Sequence, residues 1–177
     1  NEALPALAAT LLTDQPVTLR NVPRIRDVEV MCTVIEHLGA SVEWIGPNEV
    51  RICAANLNDA GLDAELCRRV RASILFAGPM VARFGKVALP PPGGDVIGRR
   101  RVDTHFQVLA ALGAEVKADR IYELTAPKLV GADVMMDEAS VTATENALMA
   151  AALTSGTTIL RNAASEPPVC GLARMLQ

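Results

Sequence analysis

Two stretches of this chain repeat each other, and the repeat constrains the fold more than any other feature. Val30 to Ile45 carries apolar residues at helical spacing, then Leu38-Gly39-Ala40, then the alternating Ser41-Val42-Glu43-Trp44. Thr104 to Lys117 follows the same plan through Leu112-Gly113-Ala114 and Glu115-Val116-Lys117. Each copy predicts a helix stopped by a C-terminal glycine and followed by a half-buried strand. A second strand is predicted behind each, at Glu49 to Cys53 and at Arg120 to Thr125. A further echo links Val17-Thr18-Leu19-Arg20-Asn21-Val22 to Thr158-Ile159-Leu160-Arg161-Asn162-Ala163, each a short strand leading into a turn and a helix. Gly39 and Gly113 lie 74 residues apart and Arg20 and Arg161 lie 141 apart. The chain therefore reads as about two and a half copies of a unit of roughly 70 residues. Units this long, mixing helices with paired strands, predict one α/β domain whose helices share a core rather than a solenoid.

The remaining helices are predicted at Leu4 to Leu12, Ala64 to Phe84, Thr142 to Leu153 and Val169 to Leu176. Ala72 to Phe84 is almost wholly apolar, which predicts burial on every side, and Pro79 is expected to kink or divide that helix. The third copy stops after its helix, so its completing strands are expected just beyond Gln177. With no initiator Met before Asn1, the chain is expected to be a piece of a longer protein. No Ser/Gly/Pro-rich linker interrupts it, which predicts a single domain.

Composition narrows the function. Half of the 177 residues are apolar but only 3% are aromatic, so the core must be built from Ala, Val, Leu and Ile. The net charge of −3 disfavours nucleic-acid binding, which calls for a basic stripe. Cys32, Cys53, Cys67 and Cys170 show no C-x-x-C spacing and are expected to be buried free thiols, as in a reducing cytoplasm. No apolar run reaches the length of a membrane span, and no signal peptide is evident.

The chemistry concentrates in Pro90-Pro91-Pro92-Gly93-Gly94-Asp95-Val96-Ile97-Gly98-Arg99-Arg100-Arg101-Val102-Asp103. Prolines stiffen the entry, glycines let a ligand approach the backbone, and three guanidinium groups supply forks of donors for phosphate or carboxylate oxygens. Asp95 is the acidic residue within the glycine-rich part. Neighbouring arginines would hold its carboxyl ionised, and a partly dry site would reverse that. Arg71 opens the apolar helix and points either at a ligand or at a salt-bridge partner, Asp103 or Glu65. Asp103 reads as a cap for the helix starting near Thr104, and His105 as a structural histidine. Ser140 to Asn146 opens a helix and offers either plain capping or an anion site. No Walker loop, Ser/His/Asp set or metal-ligating pattern is present. On the residues alone, this is an anion-handling α/β domain.

These motifs together resemble the enolpyruvyl transferase family, over the whole chain and in one order. The blocks are Asn1-Glu2-Ala3-Leu4-Pro5, Asn21-Val22-Pro23 with Asp27-Val28, Leu38-Gly39-Ala40, Arg71-Ala72-Ser73-Ile74 with Gly78-Pro79, Ala82-Arg83-Phe84-Gly85, Pro92 to Gly98, and Ser140-Val141 with Ala143-Thr144-Glu145-Asn146. The resemblance implies an inside-out α/β fold of two similar domains, each of three βαβαββ units around buried helices, with substrates held between them. Residues 1–177 would be most of one domain, lacking the third-unit strands and the second domain of the same polypeptide, and inactive alone. The branch most similar transfers the enolpyruvyl group of phosphoenolpyruvate to the 3′-hydroxyl of UDP-N-acetylglucosamine in the cytoplasm, with no metal and no organic cofactor.

By position, the resemblance implies that Asp95 is the proton donor in place of the family's usual cysteine. It implies that Asn1 contacts phosphoenolpyruvate, and that Arg71, Arg100, Arg101, Val102, Asp103, Thr104, Glu138, Ala139, Ser140 and Val141 contact the UDP-sugar. An aspartate cannot form the thioether made by fosfomycin, so insensitivity to that antibiotic is expected. Three departures bear on the acceptor: Arg101 stands where proline is usual, Glu138 where lysine is common, and Thr142 where glycine is common. A family member with another acceptor, such as shikimate 3-phosphate, is the nearest alternative. A non-catalytic domain or a relative of RNA 3′-phosphate cyclases is the more distant one.

Overall fold

Helix α1 (Ala3–Ala9) tightens into a 3-10 turn at Thr10–Leu12 and leads into the first copy of the repeat. There β1 (Val17–Arg20) is followed by α2 (Arg26–His37), and β1, β2 (Ser41–Gly46) and β3 (Glu49–Cys53) form an antiparallel sheet of order β1-β3-β2. After α3 (Ala64–Arg69) and α4 (Ala77–Phe84), the second copy runs through β4 (Lys86–Leu89), α5 (Asp103–Ala111), β5 (Glu115–Ala118) and β6 (Tyr122–Thr125). Its sheet has the corresponding order β4-β6-β5. The registers match as well, with Val42 opposite Ile52 in one sheet and Val116 opposite Leu124 in the other. The chain ends with β7 (Asp133–Met135), α6 (Val141–Ala152), β8 (Ile159–Arg161) and α7 (Pro167–Met175), β7 and β8 pairing in parallel. This computed structural model describes residues 2–58, 61–93 and 102–177.

The repeated glycines do what the sequence predicts. Gly39 has φ +95° and Gly113 φ +107°, the left-handed turn that lets the chain leave a helix. In the first copy Gly39 N–H donates to Glu36 O (2.9 Å) and Ala40 N–H to Ile35 O (3.2 Å). The second copy repeats both bonds, from Gly113 to Ala110 (2.9 Å) and from Ala114 to Leu109 (3.0 Å). The shorter echo is equally exact in conformation: Asn21 and Asn162 take φ 57° and 56°.

The helix expected over Ala64 to Phe84 is divided, as Pro79 suggested, but the break lies upstream of it. Val70 is extended (φ −143°, ψ 129°) and is followed by a 3-10 helix at Arg71–Phe76. There the Ser73 hydroxyl donates to Val70 O (2.9 Å) and Gly93 N–H to Cys67 O (3.0 Å), satisfying carbonyls the interrupted helix leaves open. Pro79 sits in the first turn of α4, where an absent N–H costs nothing. The strands β4 and β7 are additional to those the sequence predicts.

Aliphatic side chains of α1, α2 and the segment 71–81 meet in one core around Phe76, Leu7, Met31 and Leu75, none more than 1% exposed. Cys32 and Cys67 are buried as expected, and burial pushes both thiols up to about 11. Cys53 is half-buried and Cys170 exposed, which corrects the expectation for those two; all four are free. Among the described residues, no helix is long and apolar enough to cross a membrane.

Candidate functional site

Helix α6 is buried over most of its circumference and is anchored at its start. Ser140 caps it, accepting from Ala143 N–H at 3.4 Å. Thr144 Oγ1 donates to Ser140 O (2.8 Å) and accepts from Ala164 N–H (3.0 Å), tying that start to the chain entering α7. Plain capping, one of the two sequence readings of this segment, is therefore present.

Two polar residues in this helix, part of a family block in the sequence, had no role of their own assigned there. Asn146 is fully buried. Its Oδ1 accepts from Gly78 N–H (2.8 Å) and its Nδ2 donates to Ile74 O (2.9 Å). A β carbon on Gly78 would stand 2.5 Å from Asn146 O, so only glycine permits this approach. Nδ2 also lies 2.8 Å from His105 Nδ1, and His105 Nε2 lies 3.1 Å from Thr142 Oγ1. His105 is only 3% exposed; burial, helped by the charge of Arg71, holds it far down, at about 3. The imidazole is thus a neutral structural group, as its sequence context suggested.

Glu145 is the second. It is 2% exposed, and burial pushes its carboxyl up to about 7. It faces a cleft of about 410 Å³ walled by Leu4 and Pro5 of α1, Asp27 of α2, Arg71, Ala72 and Leu75 of the 3-10 segment, and Val141, Thr142 and Glu145 of α6. A cleft of equal volume between α1 and the end of β1, lined by Glu2, Arg20 and Asn21, carries none of the expected substrate contacts. The chemistry of the first cleft is mixed: one guanidinium, two carboxyl groups, one hydroxyl and an apolar floor. Such a site can bind an anionic, hydroxyl-rich ligand and hold or release a proton near neutrality.

Of the residues expected to touch substrate, Arg71 and Val141 line this cleft together. Val102, Asp103 and Thr104 form the start of α5, and Gln107 holds that helix beside the segment leading into α6. Its Nε2 donates to Met135 O (3.1 Å) and Asp137 Oδ1 (2.8 Å), while its Oε1 accepts from Asp137 N–H (3.1 Å). Glu138 and Ala139 are exposed on that segment, and Ser140 is half-buried. Asn1, Asp95, Arg100 and Arg101 lie outside the described residues. One expectation is corrected: Asp103 is the first residue of α5 rather than its cap, which falls at Val102 with no side-chain cap bond. Glu65, one expected partner of Arg71, pairs with Arg68. Among the described residues no cluster of His, Cys, Asp or Glu can hold a metal ion. Glu145 and Asn146 had a sequence signal, a carboxylate and an amide directly before the apolar run Ala147 to Ala152 of the same helix.

Fold and site together define a class: an α/β domain of repeated strand-helix-strand-strand units whose buried helices open at one end on a polar cleft. Within that class, the chain belongs to the EPSP synthase (3-phosphoshikimate 1-carboxyvinyltransferase) family, whose model matches residues 1–177. It is 60% identical over 176 residues to the UDP-N-acetylglucosamine 1-carboxyvinyltransferase of Bradyrhizobium diazoefficiens and 56% identical to that of Treponema pallidum. In both cases the match covers 99% of this chain and 41% of the relative, so the chain spans about two fifths of their length. The fold is similar to that of the enolpyruvyl transferase NikO from Streptomyces tendae (TM-score 0.84, 24% identity, 99% of this chain and 41% of that one). It is also similar to EPSP synthase from Acinetobacter baumannii (TM-score 0.70, 15% identity, 95% and 40%). These likenesses bear out the fold class expected from the sequence.

Proposed function

We propose that the full-length protein containing this chain transfers the enolpyruvyl group of phosphoenolpyruvate to the 3′-hydroxyl of UDP-N-acetylglucosamine, a cytoplasmic step of peptidoglycan precursor synthesis. The observation that carries this reading is the convergence of Arg71 and the start of α6 on one cleft, in a chain 60% identical to a carboxyvinyltransferase of that name. Residues 1–177 form most of one domain, and a second domain of the same polypeptide closes the site.

In this reading the acceptor hydroxyl gives up its proton to water as its oxygen bonds to C2 of phosphoenolpyruvate, while Asp95 delivers a proton to C3, giving a tetrahedral intermediate. Loss of phosphate with a proton from C3 then restores the double bond. Asn1 holds phosphoenolpyruvate. Arg71, Arg100 to Thr104 and Glu138 to Val141 hold the UDP-sugar. A carboxylic acid at position 95 cannot form a thioether, so fosfomycin leaves turnover intact.

Phosphate release by the full-length protein with both substrates tests the proposal. Asp95→Ala is expected to lower kcat by about 100-fold or more; a variant equal to the parent would remove Asp95 from the mechanism. A second reading, transfer to another acceptor such as shikimate 3-phosphate, is favoured by the exposed Glu138 carboxylate, which would repel a diphosphate. Turnover with that acceptor and none with the UDP-sugar would establish it.

A further inference from the structure

The hydrogen-bond chain behind the cleft has one direction only. Asn146 is oriented by two backbone groups of fixed polarity, the Gly78 N–H and the Ile74 carbonyl, so its nitrogen is the atom facing His105. That nitrogen has a second hydrogen, and it is 2.8 Å from His105 Nδ1, which must therefore be the unprotonated, accepting ring atom. A neutral imidazole with Nδ1 bare carries its proton on Nε2. Nε2 then donates across 3.1 Å to Thr142 Oγ1. Since the oxygen of Thr142 accepts, its own hydrogen remains to be donated. Among the described residues no other partner of this hydroxyl is recorded, and Thr142 lines the cleft beside Arg71 and Glu145.

We propose that Thr142 is a specificity-determining hydrogen-bond donor, presenting its hydroxyl hydrogen to an acceptor oxygen of the nucleotide-sugar, with His105 and Asn146 as positioning residues that fix its direction. This rests on the function proposed above and extends it. A hydroxyl whose oxygen already accepts from the relay has its hydrogen left to give, which suits a ligand oxygen carrying lone pairs. Because the relay is neutral, that preference holds across physiological pH.

Two measurements on the full-length protein test this. In steady-state kinetics Thr142→Val, which keeps the shape and removes the hydroxyl, is expected to raise KM for UDP-N-acetylglucosamine about tenfold. The KM for phosphoenolpyruvate and kcat should change by less than about twofold, and Thr142→Ser should restore the parent value. A Thr142→Val enzyme equal to the parent, or one in which only the KM for phosphoenolpyruvate rises, would overturn the proposal. Thr142→Ala serves the same comparison if the valine variant fails to fold. Independently of any ligand, 15N spectra of the histidine-labelled parent should show His105 as the neutral Nε2-protonated tautomer from pH 5 to 8. The Nδ1-protonated form or an imidazolium would break the chain of donors on which the inference stands. A parent without turnover on either substrate pair would instead overturn the function proposed above, while the spectrum still decides the direction of the relay.

Discussion

Helices α2 and α5 hold the same place in two copies of one unit, yet they bury different chemistry. Every buried residue of α2 is apolar: Val28, Val30, Met31, Cys32, Val34 and Ile35. On α5, Val108 and Leu109 are joined in the interior by Thr104 and His105. The frame is common to both, down to the glycine stop and the strand order. The difference teaches that the repeat supplies architecture, whereas the site arises where one copy exchanges apolar burial for a satisfied polar network. Such networks stabilise only when every member is paired, so the second copy should be the more fragile of the two.

The sharpest way to break the comparison is one substitution in the polar network that α5 shares with α6 and one in the apolar copy. Asn146→Leu leaves the Gly78 N–H, the Ile74 carbonyl and the His105 ring without their partner, and should destabilise the protein by about 3 kcal/mol in urea unfolding. Met31→Leu in the apolar copy conserves volume and should cost less than about 1.5 kcal/mol. Equal losses would mean that the polar relay is no more demanding than ordinary packing.

The glycine stops give a smaller and more graded contrast. A β carbon at Gly39 would stand 2.5 Å from Asn56 O, whereas at Gly113 the nearest atom is Lys128 O at 3.3 Å. Both alanine variants carry the strain of a positive φ, but Gly39→Ala adds a backbone clash. Expected losses are about 2 kcal/mol for Gly39→Ala and about 1 kcal/mol for Gly113→Ala. The reverse order in denaturation midpoints would show that the two stops are not held as the distances indicate.

The last contrast is a pH dependence confined to the polar side. Glu145 rises from an ordinary 4.5 to about 7, so between those values the folded chain keeps a proton that the unfolded chain has released. Its contribution to stability is full below pH 4.5 and lost as pH rises through about 7. His105 falls from 6.5 to about 3, so its contribution is present above pH 6.5 and lost as pH falls through about 3. The two slopes oppose each other where they overlap. Glu145→Gln removes the first, so its urea midpoint should gain on the parent's as pH rises from 4.5 to 7.5. Parallel profiles would exclude Glu145 as the titrating group.

The division between legible and illegible parts of the chain follows the range of the interactions. The stops at Gly39 and Gly113, the turns at Asn21 and Asn162 and the Ser140 cap depend on neighbours within a few residues, and the sequence displays them. Strands β4 and β7 are as short as β1, β5, β6 and β8 but fall outside the repeated stretches that exposed those four. The break at Val70 depends on Ser73 and Gly93, and the prominent Pro79 drew the expectation downstream. Asn146 takes its meaning from Gly78 and Ile74, 68 and 72 residues away, and no local pattern announces such a contact. Arg71 and Val141 were legible through the family resemblance, while Asp27 and Glu145 join them in the cleft only because the fold brings α2 and α6 to the same place.

The same separation of ranges bears on how the chain acquires its structure. Each three-stranded sheet closes within a short span, Val17–Cys53 in one case and Lys86–Thr125 in the other. Such loops close at low entropic cost, so either sheet can assemble while synthesis of the rest continues. The bonds of Asn146 join parts made far apart in time. The amide finds its partners only once Gly78 and Ile74 are in place, and the same docking of α6 brings Thr142 and Glu145 to the cleft.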